Sequence, residues 1–284
     1  MNQWGLTIKS NYIYTGDCKE LLLSLPDNSV DLIIADPPYF EINGEFDFVW
    51  NNVEEYITWC TQWIQLCKKV LKPTGSFYIW GAIGYQKGYA LAKIADWIER
   101  ENLFVIQNWI TQKNTRGYGQ ARYIQAREEL LFLTVTQEYT WNRAELNIAR
   151  NRSDLGANGN TNKPCSDVWI DICDDPWDDA VWDDITEASQ SSKQRFKDSS
   201  GKRFPTVKAL ALCDRIIQAS SNPGDLILIL FAGSGSKIII SINNNRKFIA
   251  AEINPIYVKD IILPRIKKNS LDVHKMNNIY YTSN

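Results

Sequence analysis

Residues 226–242, LILILFAGSGSKIIISI, place an apolar run, a glycine turn and a second apolar run in direct succession. The first run predicts a buried strand, the glycines a tight turn, and the second run a helix. The next strand lies in FIAAEIN (residues 248–254) and ends on Glu252. This order is typical of a doubly wound α/β sheet, which binds ligands at the carboxyl ends of its strands.

The glycine turn also indicates what kind of ligand to expect. Gly233 and Gly235 let the backbone approach a ligand closely, and Glu252 can accept hydrogen bonds from ribose hydroxyls. The dinucleotide fingerprint needs a third glycine, and this chain has Ile238 at that position. The pattern therefore disfavours NAD and FAD and favours an adenosine-bearing ligand without a pyrophosphate, such as S-adenosylmethionine.

A second motif lies early in the chain, where residues 31–40 read DLIIADPPYF. Pro37 and Pro38 have no backbone N–H to donate to a sheet, so the strand must end at Asp36. The sequence thus predicts an exposed tip that carries a carboxylate, two stiff residues and the ring of Tyr39.

Strand and helix patterns alternate over much of the chain. We expect strands at YIYT, DLIIA, SFYIW, FVIQNWI and ELLFLTV, and helices at KELLLSL, 53–71, 86–101 and 207–220, with residues 72–75 ending the second helix. The predicted fold is α/β with a doubly wound, mainly parallel sheet, formed by residues 1–112 and 205–284. Residues 113–204 are predicted to be a loop-rich insertion.

The charge pattern supports a nucleic-acid partner despite a formal net charge of −2. Residues 164–192 carry nine acidic residues and no lysine or arginine, while the flanking segments are basic. Lys113, Arg116, Tyr118 and Arg122 combine charges for phosphates with an aromatic ring for base stacking. We have no explanation for the acidic stretch in terms of DNA binding.

Composition excludes several other classes. The chain has no apolar run long enough to span a membrane and begins without a signal-peptide pattern, so we expect a soluble, cytoplasmic protein. Its six cysteines include no CxxC pair, and we expect no metal site. A single histidine, His274, argues against serine or cysteine hydrolase chemistry.

The two motifs together resemble the amino-methyltransferases of DNA. The order of the two motifs, with DPPY early and FAGSGS late in the chain, is similar to that of the circularly permuted β class of adenine-N6 enzymes. The similar sequence blocks extend over nearly the whole chain. The resemblance implies a class I, Rossmann-like fold, S-adenosylmethionine as cofactor and double-stranded DNA as substrate, with residues 113–204 recognising the target. It also implies a restriction-modification context with a cognate endonuclease, and a homodimer.

The resemblance also implies roles for individual residues. The tip, Asp36 to Tyr39, would be catalytic: Asp36 and the carbonyl of Pro37 accept the hydrogens of the target amino group and localise its lone pair, and Tyr39 stacks on a flipped base. Asp17 would lie near the cofactor adenine, Glu252 at its ribose and Lys208 near the methionine carboxylate. The full set of expected cofactor residues is Asp17, Cys18, Asp36, Lys208, Phe231, Gly233, Ser234, Gly235, Ser236, Glu252 and Asn254.

The chain departs from the family pattern in the block around Lys208, where Phe204, Val207 and Ala209 replace histidine, glutamine and proline, and at three positions of the glycine block. The glycine block of the family begins Asp-Pro-Phe and has threonine after its second glycine, but here these positions hold Ile229, Leu230 and Ser236. The missing acid would help to organise the methionine amine, so a weakened or silent DNA-binding relative is one alternative. Cytosine-N4 methylation is another, although those enzymes usually carry serine in place of Asp36. Methylation of RNA or protein is disfavoured, because the related tetrapeptide usually begins with asparagine.

Overall fold

The computed structural model describes most of the chain, as a set of segments. These are residues 10–40, 49–81, 83, 88–118, 125–143, 147–149, 162–169, 199, 201, 207–269 and 279–282. Across these segments, the helices are too short or too polar to cross a membrane.

The first half of the chain alternates strands and helices as predicted. Its elements are β1 (Tyr12–Thr15), α1 (Cys18–Ser24), β2 (Val30–Ala35), α2 (Val53–Val70), β3 (Leu71–Gly81), α3 (Ala90–Arg100), β4 (Val105–Tyr118) and β5 (Gln125–Thr134). Capping fixes where helices begin: the Asp17 carboxylate accepts a hydrogen bond from the backbone N–H of Lys19 in α1, and Asn52 caps α2 through Glu55.

The second half adds short strands and then returns to the sheet. Its elements are β6 (Asn147–Ala149), β7 (Asn162–Pro164), β8 (Val168–Trp169), α4 (Leu210–Ser220), β9 (Leu226–Leu230), α5 (Ser236–Asn243), β10 (Lys247–Glu252), α6 (Pro255–Tyr257), a π-helical segment (Val258–Ile262), α7 (Leu263–Asn269) and β11 (Tyr280–Tyr281).

Nine of these strands form one sheet, in the order β11-β1-β10-β9-β2-β3-β5-β4-β8. Every pairing in it is parallel except those of β5 with β3 and β4. The prediction of a doubly wound, mainly parallel α/β sheet is confirmed.

Successive residues of the central strands face opposite sides of the sheet, and each side is apolar. Ile33 of β2 and Leu228 of β9 pack against α1, α2 and α3. Their neighbours Ile34 and Ile229 pack on the other side, against α4, α5 and α7. Helices on both faces explain why these strands are continuous apolar runs.

The connections change direction between β2 and β9. From β9 the chain passes through α5 to β10 on one side, and from β2 it passes through α2 to β3 on the other. Ala35 pairs with Leu230 in parallel register, so Asp36 and Phe231 leave the sheet side by side. This is the topological switch point at which open α/β sheets bind ligands.

Two details differ from the sequence predictions. Residues 72–75 follow the end of α2, as predicted, but they already belong to β3, which was expected to begin at Ser76; Leu71 pairs with Val30 before a register shift. β4 continues to Tyr118, and β5, which falls inside the segment predicted as an insertion, pairs with β3 in the main sheet. The division of the chain at residues 112 and 205 stays a prediction.

Candidate functional site: the edge between the DPPY tip and the glycine turn

The DPPY tip is held by hydrogen bonds from two tyrosines. Within the tip, the Tyr39 hydroxyl donates to Oδ1 of Asp36 at 3.0 Å. From α2, the Tyr56 hydroxyl donates to the carbonyl of Pro38 at 2.9 Å. The prolines remove backbone freedom and the tyrosines fix what remains, so the Asp36 carboxylate has a defined orientation.

Two lysines bind the Asp36 carboxylate, one on each oxygen. Nζ of Lys208 lies 3.3 Å from Oδ1, and Nζ of Lys237 lies 3.2 Å from Oδ2. Lys208 also contacts Glu128 of β5, with 2.7 Å between Nζ and Oε2. Two ammonium groups thus face two carboxylates, which makes this largely buried cluster electrically balanced.

The indole of Trp80, at the end of β3, lies beneath both ammonium groups. The ring centroid is 5.5 Å from Nζ of Lys208 and 5.6 Å from Nζ of Lys237. Nζ of Lys208 also lies 5.3 Å from the centroid of the Tyr39 ring. Trp80 is 1% exposed, so the ions meet in a poorly hydrated environment where cation–π and ionic contacts are stronger than in water.

These surroundings shift protonation equilibria. Burial alone would raise the pKa of Asp36, but Lys208 and Lys237 outweigh it and lower that pKa below its ordinary value. For Lys208, burial opposes the charge, yet Asp36 and Glu128 raise its pKa. Asp36 is therefore a carboxylate at neutral pH, able to accept hydrogen bonds.

The glycine turn is shaped mainly by the backbone. Phe231, Gly233 and Gly235 have positive φ angles of 61°, 59° and 82°. The N–H of Ala232 donates to the carbonyl of Ala251 in β10 at 2.8 Å. A Cβ on Gly235 would lie 3.1 Å from Cγ2 of Ile262, so the turn is tight against the segment before α7.

Glu252 ends β10 beside this turn. Its carboxylate accepts hydrogen bonds from the backbone N–H of Gly233, at 2.8 Å, and of Asn254, at 3.0 Å. Burial raises the pKa of Glu252, since only 7% of the residue is exposed. A carboxylate can accept about four hydrogen bonds, so Glu252 retains the capacity to accept a further hydroxyl group. Asn254 itself caps α6 through its side chain.

Asp17 and Cys18 lie at the same edge, after β1. Thr15 pairs with Glu252, and the N–H of Gly16 donates to the Glu252 carbonyl at 3.0 Å. Asp17 accepts from the N–H of Lys19 at 2.8 Å, and Cys18 is 5% exposed. Burial raises the pKa of the Cys18 thiol, so this group is not a nucleophile at neutral pH.

Arg265 of α7 supports the last part of the turn. It is 3% exposed and donates through Nη1 to the carbonyl of Ser234 at 2.6 Å and to Oγ of Ser236 at 3.1 Å. The two serines are themselves buried. Ser234 and Ser236 are thus fixed from beneath by a charged side chain 29 to 31 residues later in the chain.

The structure brings most of the predicted residues to one edge of the sheet. Asp36, Tyr39 and Lys208 are in direct contact, and Asp17, Glu252 and the glycine turn follow along the neighbouring strands. Of the residues predicted to contact DNA, Lys113, Arg116 and Tyr118 belong to β4, and Arg122 lies outside the described residues. The contact of these residues with DNA stays a prediction.

Five residues that contact this edge were not predicted as site residues: Tyr56, Trp80, Glu128, Lys237 and Arg265. Lys237 directly follows the glycine turn in the first turn of α5, a position that could have drawn attention. Glu128 could not have been recognised, because only the register of β5 places it beside Lys208. Long-range contacts of this kind have no local sequence signal.

The altered residues of the glycine block lie in the two apolar layers. Ile229 and Leu230 are both 0% exposed, Ile229 on the side of α4 and α5 and Leu230 on the side of α1 to α3. In this chain both positions therefore contribute to packing.

Comparison with known proteins identifies the family. A family described as DNA methylase, with N6 and N4 members, matches residues 30–263. The chain belongs to the N6/N4 DNA methylase family. It is a DNA methyltransferase by this membership, and the family leaves open whether adenine N6 or cytosine N4 receives the methyl group.

Named relatives agree with this assignment. The chain is 28% identical to the type II methyltransferase M.HinfI of Haemophilus influenzae, over 93% of this chain and 71% of that protein. It is 30% identical to M.BamHI of Bacillus amyloliquefaciens, over 96% of this chain and 60% of that protein. The structure of the cytosine-N4-specific PvuII DNA methyltransferase superimposes with a TM-score of 0.66, at 18% identity and over 98% of each chain. That likeness shows the shared Rossmann-like fold.

Proposed function

We propose that this DNA methyltransferase transfers a methyl group from S-adenosylmethionine to N6 of adenine in a short DNA sequence. The observation that carries the proposal is the position of Asp36. Its carboxylate leaves the sheet beside the glycine turn, at the switch point, and is ionised at neutral pH. Asparagine or serine at this position would not supply the same negative charge to an amino group.

The residues present fit S-adenosylmethionine, which is the cofactor of the enzyme. Glu252 offers a free acceptor position for a ribose hydroxyl, and Asp17 and Cys18 lie beside it for the adenine end. Phe231, Gly233, Ser234, Gly235, Ser236 and Asn254 would border the remainder, with Asp36 and Lys208 towards the methionine end. When bound, the cofactor supplies a methyl group activated by a sulfonium sulfur.

The tip supplies the other half of the reaction. The exocyclic nitrogen of adenine is a weak nucleophile, because its lone pair is delocalised into the ring. Hydrogen bonds from the amino group to Asp36 and to the Pro37 carbonyl would localise that lone pair and orient it for direct in-line attack. Pro38, held by Tyr56, keeps the Pro37 carbonyl in place. No covalent enzyme intermediate is needed.

Access to the amino group requires the base to leave the duplex stack. Tyr39 would stack on the flipped base, while Lys113, Arg116, Tyr118 and Arg122 would contact DNA from β4 and the segment after it. Residues 113–204 remain the proposed target-recognition region. A homodimer and a cognate restriction endonuclease remain expectations from the family resemblance.

Two other functions make different predictions. Cytosine-N4 methylation would use the same geometry, and the PvuII enzyme with that specificity shares the fold. A silent DNA-binding relative is the second, motivated by Ile229, Leu230 and the lysines that bind Asp36. The first would yield N4-methylcytosine, and the second would bind DNA without modifying it.

The decisive experiment is methyl transfer from labelled S-adenosylmethionine to unmethylated genomic DNA, followed by nucleoside analysis. The wild-type protein should form N6-methyladenine, and Asp36→Ala should lower incorporation at least about a hundredfold. Asp96→Ala, at an exposed aspartate of α3, is the matched control and should retain activity. N4-methylcytosine as the product would refute the adenine assignment.

A further inference from the structure

Lys237 is a buried charge that the proposed reaction does not use. It is the second residue of α5, directly after the glycine turn, and is 3% exposed. An ammonium group in such a place is costly unless it is paired. Among the described residues its one ion pair is with Asp36, at 3.2 Å.

This pairing affects the role of Asp36 in methyl transfer, because it places a positive charge beside the oxygen that an amino group would approach. A carboxylate has about four positions that accept hydrogen bonds. In this structure Tyr39, Lys208 and Lys237 contact the carboxylate, two of them at Oδ1 and Lys237 at Oδ2. The one acceptor position that remains is at Oδ2, where the ammonium group of Lys237 already lies, so an incoming amino group would meet a positive charge there.

The two lysines differ in the partners that they have besides Asp36. Lys208 has a second carboxylate partner, since Glu128 lies 2.7 Å from its Nζ. Among the described residues Lys237 has no second carboxylate at ion-pair distance, although its charge also partly offsets the rise in the pKa of Glu252. An incoming anion can therefore replace Asp36 as its partner. Lys237 directly follows the glycine turn, which by the family resemblance would border the methionine portion of the cofactor and its α-carboxylate.

We propose that Lys237 binds the α-carboxylate of the cofactor and thereby releases Asp36 for the target amino group. Transfer of Lys237 to the cofactor leaves Oδ2 of Asp36 open to the amino group, which couples the two halves of the site. The proposal depends on the cofactor and not on which base is methylated. The role of Lys237 can therefore be refuted while the assignment to adenine N6 holds, and the assignment to adenine N6 can be refuted while the role of Lys237 holds.

Calorimetric binding of two nonreactive ligands tests the proposal. S-adenosylhomocysteine has the amino-acid end, and 5′-methylthioadenosine shares the adenosine and thioether but lacks that end. Lys237→Met should weaken S-adenosylhomocysteine binding roughly tenfold to a hundredfold. The same variant should leave 5′-methylthioadenosine binding unchanged, and Lys237→Arg should restore most of the lost affinity.

Lys208→Met and Lys93→Met are the comparison variants. Lys93 is an exposed lysine paired with Glu54 and should leave both ligands unaffected. Equal weakening of the two ligands by Lys237→Met would indicate a structural role and overturn the proposal. Selective loss of S-adenosylhomocysteine binding in Lys208→Met but not in Lys237→Met would also overturn it.

Asp36→Asn tests the same claim if Lys237→Met does not fold. In this variant Lys237 loses the carboxylate that competes with the cofactor. S-adenosylhomocysteine should then bind about fivefold more tightly, with no change for 5′-methylthioadenosine. Unchanged or weaker S-adenosylhomocysteine binding would contradict the proposal.

Discussion

The DPPY tip and the glycine turn leave the sheet from neighbouring strands, but they are stabilised in different ways. Contacts to Asp36 in the tip come from side chains far away in sequence, Lys208 and Lys237. The glycine turn is stabilised by a backbone hydrogen bond to the adjacent β10, by the Glu252 and Arg265 side chains, and by its own glycine conformations. The charged side of the site therefore depends on residues from the whole chain, whereas the glycine turn depends on the single stretch from β9 to α7.

Mutations in the two regions should therefore have different effects. A mutation in the ionic cluster should mainly change the stability of the protein and the protonation of its carboxylates. A mutation in the glycine turn should change the shape of the turn itself. Four predictions follow this contrast from the largest expected effect to the smallest.

Loss of Lys208 should have the largest effect on stability. Lys208→Met leaves Glu128 without its partner and Asp36 with only one lysine, in a largely buried cluster. We expect the free energy of unfolding to fall by about 3–5 kcal/mol in urea denaturation. Lys93→Met, which removes an exposed ion pair, should change it little. Equal losses in the two variants would show that the buried cluster stabilises the protein no more than an exposed ion pair does.

Acid should remove the part of the stability that comes from the ionised Asp36 carboxylate. The folded state lowers the pKa of Asp36, so its ionised form stabilises the protein above the ordinary aspartate pKa of about 3.9. The stability difference between wild type and Asp36→Asn should be constant at higher pH and shrink as pH falls through the lower native pKa. Denaturation at a series of pH values measures this difference. A decline that began near neutral pH would contradict the assigned direction.

The glycine turn should respond to a single methyl group. Gly235→Ala places a side chain at φ 82°, at a backbone cost of about 1–2 kcal/mol, and brings Cβ within 3.1 Å of Ile262. Gly224→Ala has a similar backbone cost, at φ 93°, but meets no atom within 4 Å. Thermal denaturation should show a larger loss for Gly235→Ala, and equal losses would exclude the contact with Ile262 as a cause.

The smallest effect is expected at Tyr56. Tyr56→Phe removes the 2.9 Å hydrogen bond to the Pro38 carbonyl and should cost about 1 kcal/mol of stability. Methyl transfer should fall while cofactor affinity is retained, because the tip loosens but the glycine turn does not. Tyr281→Phe, at an exposed residue of β11, serves as control. A parallel loss of cofactor affinity in Tyr56→Phe would contradict the separation of the two regions.

The same contrast explains what the sequence could predict. The strands β2 and β9 are short apolar runs followed by proline or glycine, so their ends and the two turns were predicted from local pattern alone. The rule for doubly wound sheets predicts ligand binding at the carboxyl ends of the strands, and the observed pairing of β2 with β9 brings Asp36 beside the glycine turn there. Local backbone chemistry was sufficient for this part of the site.

The ionic cluster could not be predicted in this way. Lys237 lies 201 residues from Asp36, and Glu128 lies 80 residues from Lys208, so each contact depends on strand order and register. The beginning of β3 was missed for a related reason. Residues 72–75 were expected only to end the second helix before the strand SFYIW, but residues 71–81 all join the sheet through pairing of β3 with β2 and β5. Tertiary pairing overrode local preference there.

The central claim is that the tip performs the transfer and the glycine turn, with Glu252, holds the cofactor. The most direct measurement compares cofactor binding by calorimetry with methyl transfer to genomic DNA in Asp36→Ala. We predict that transfer falls at least about a hundredfold while the cofactor binds at least as tightly as in the wild type. Loss of both together, or retention of both, would contradict the account.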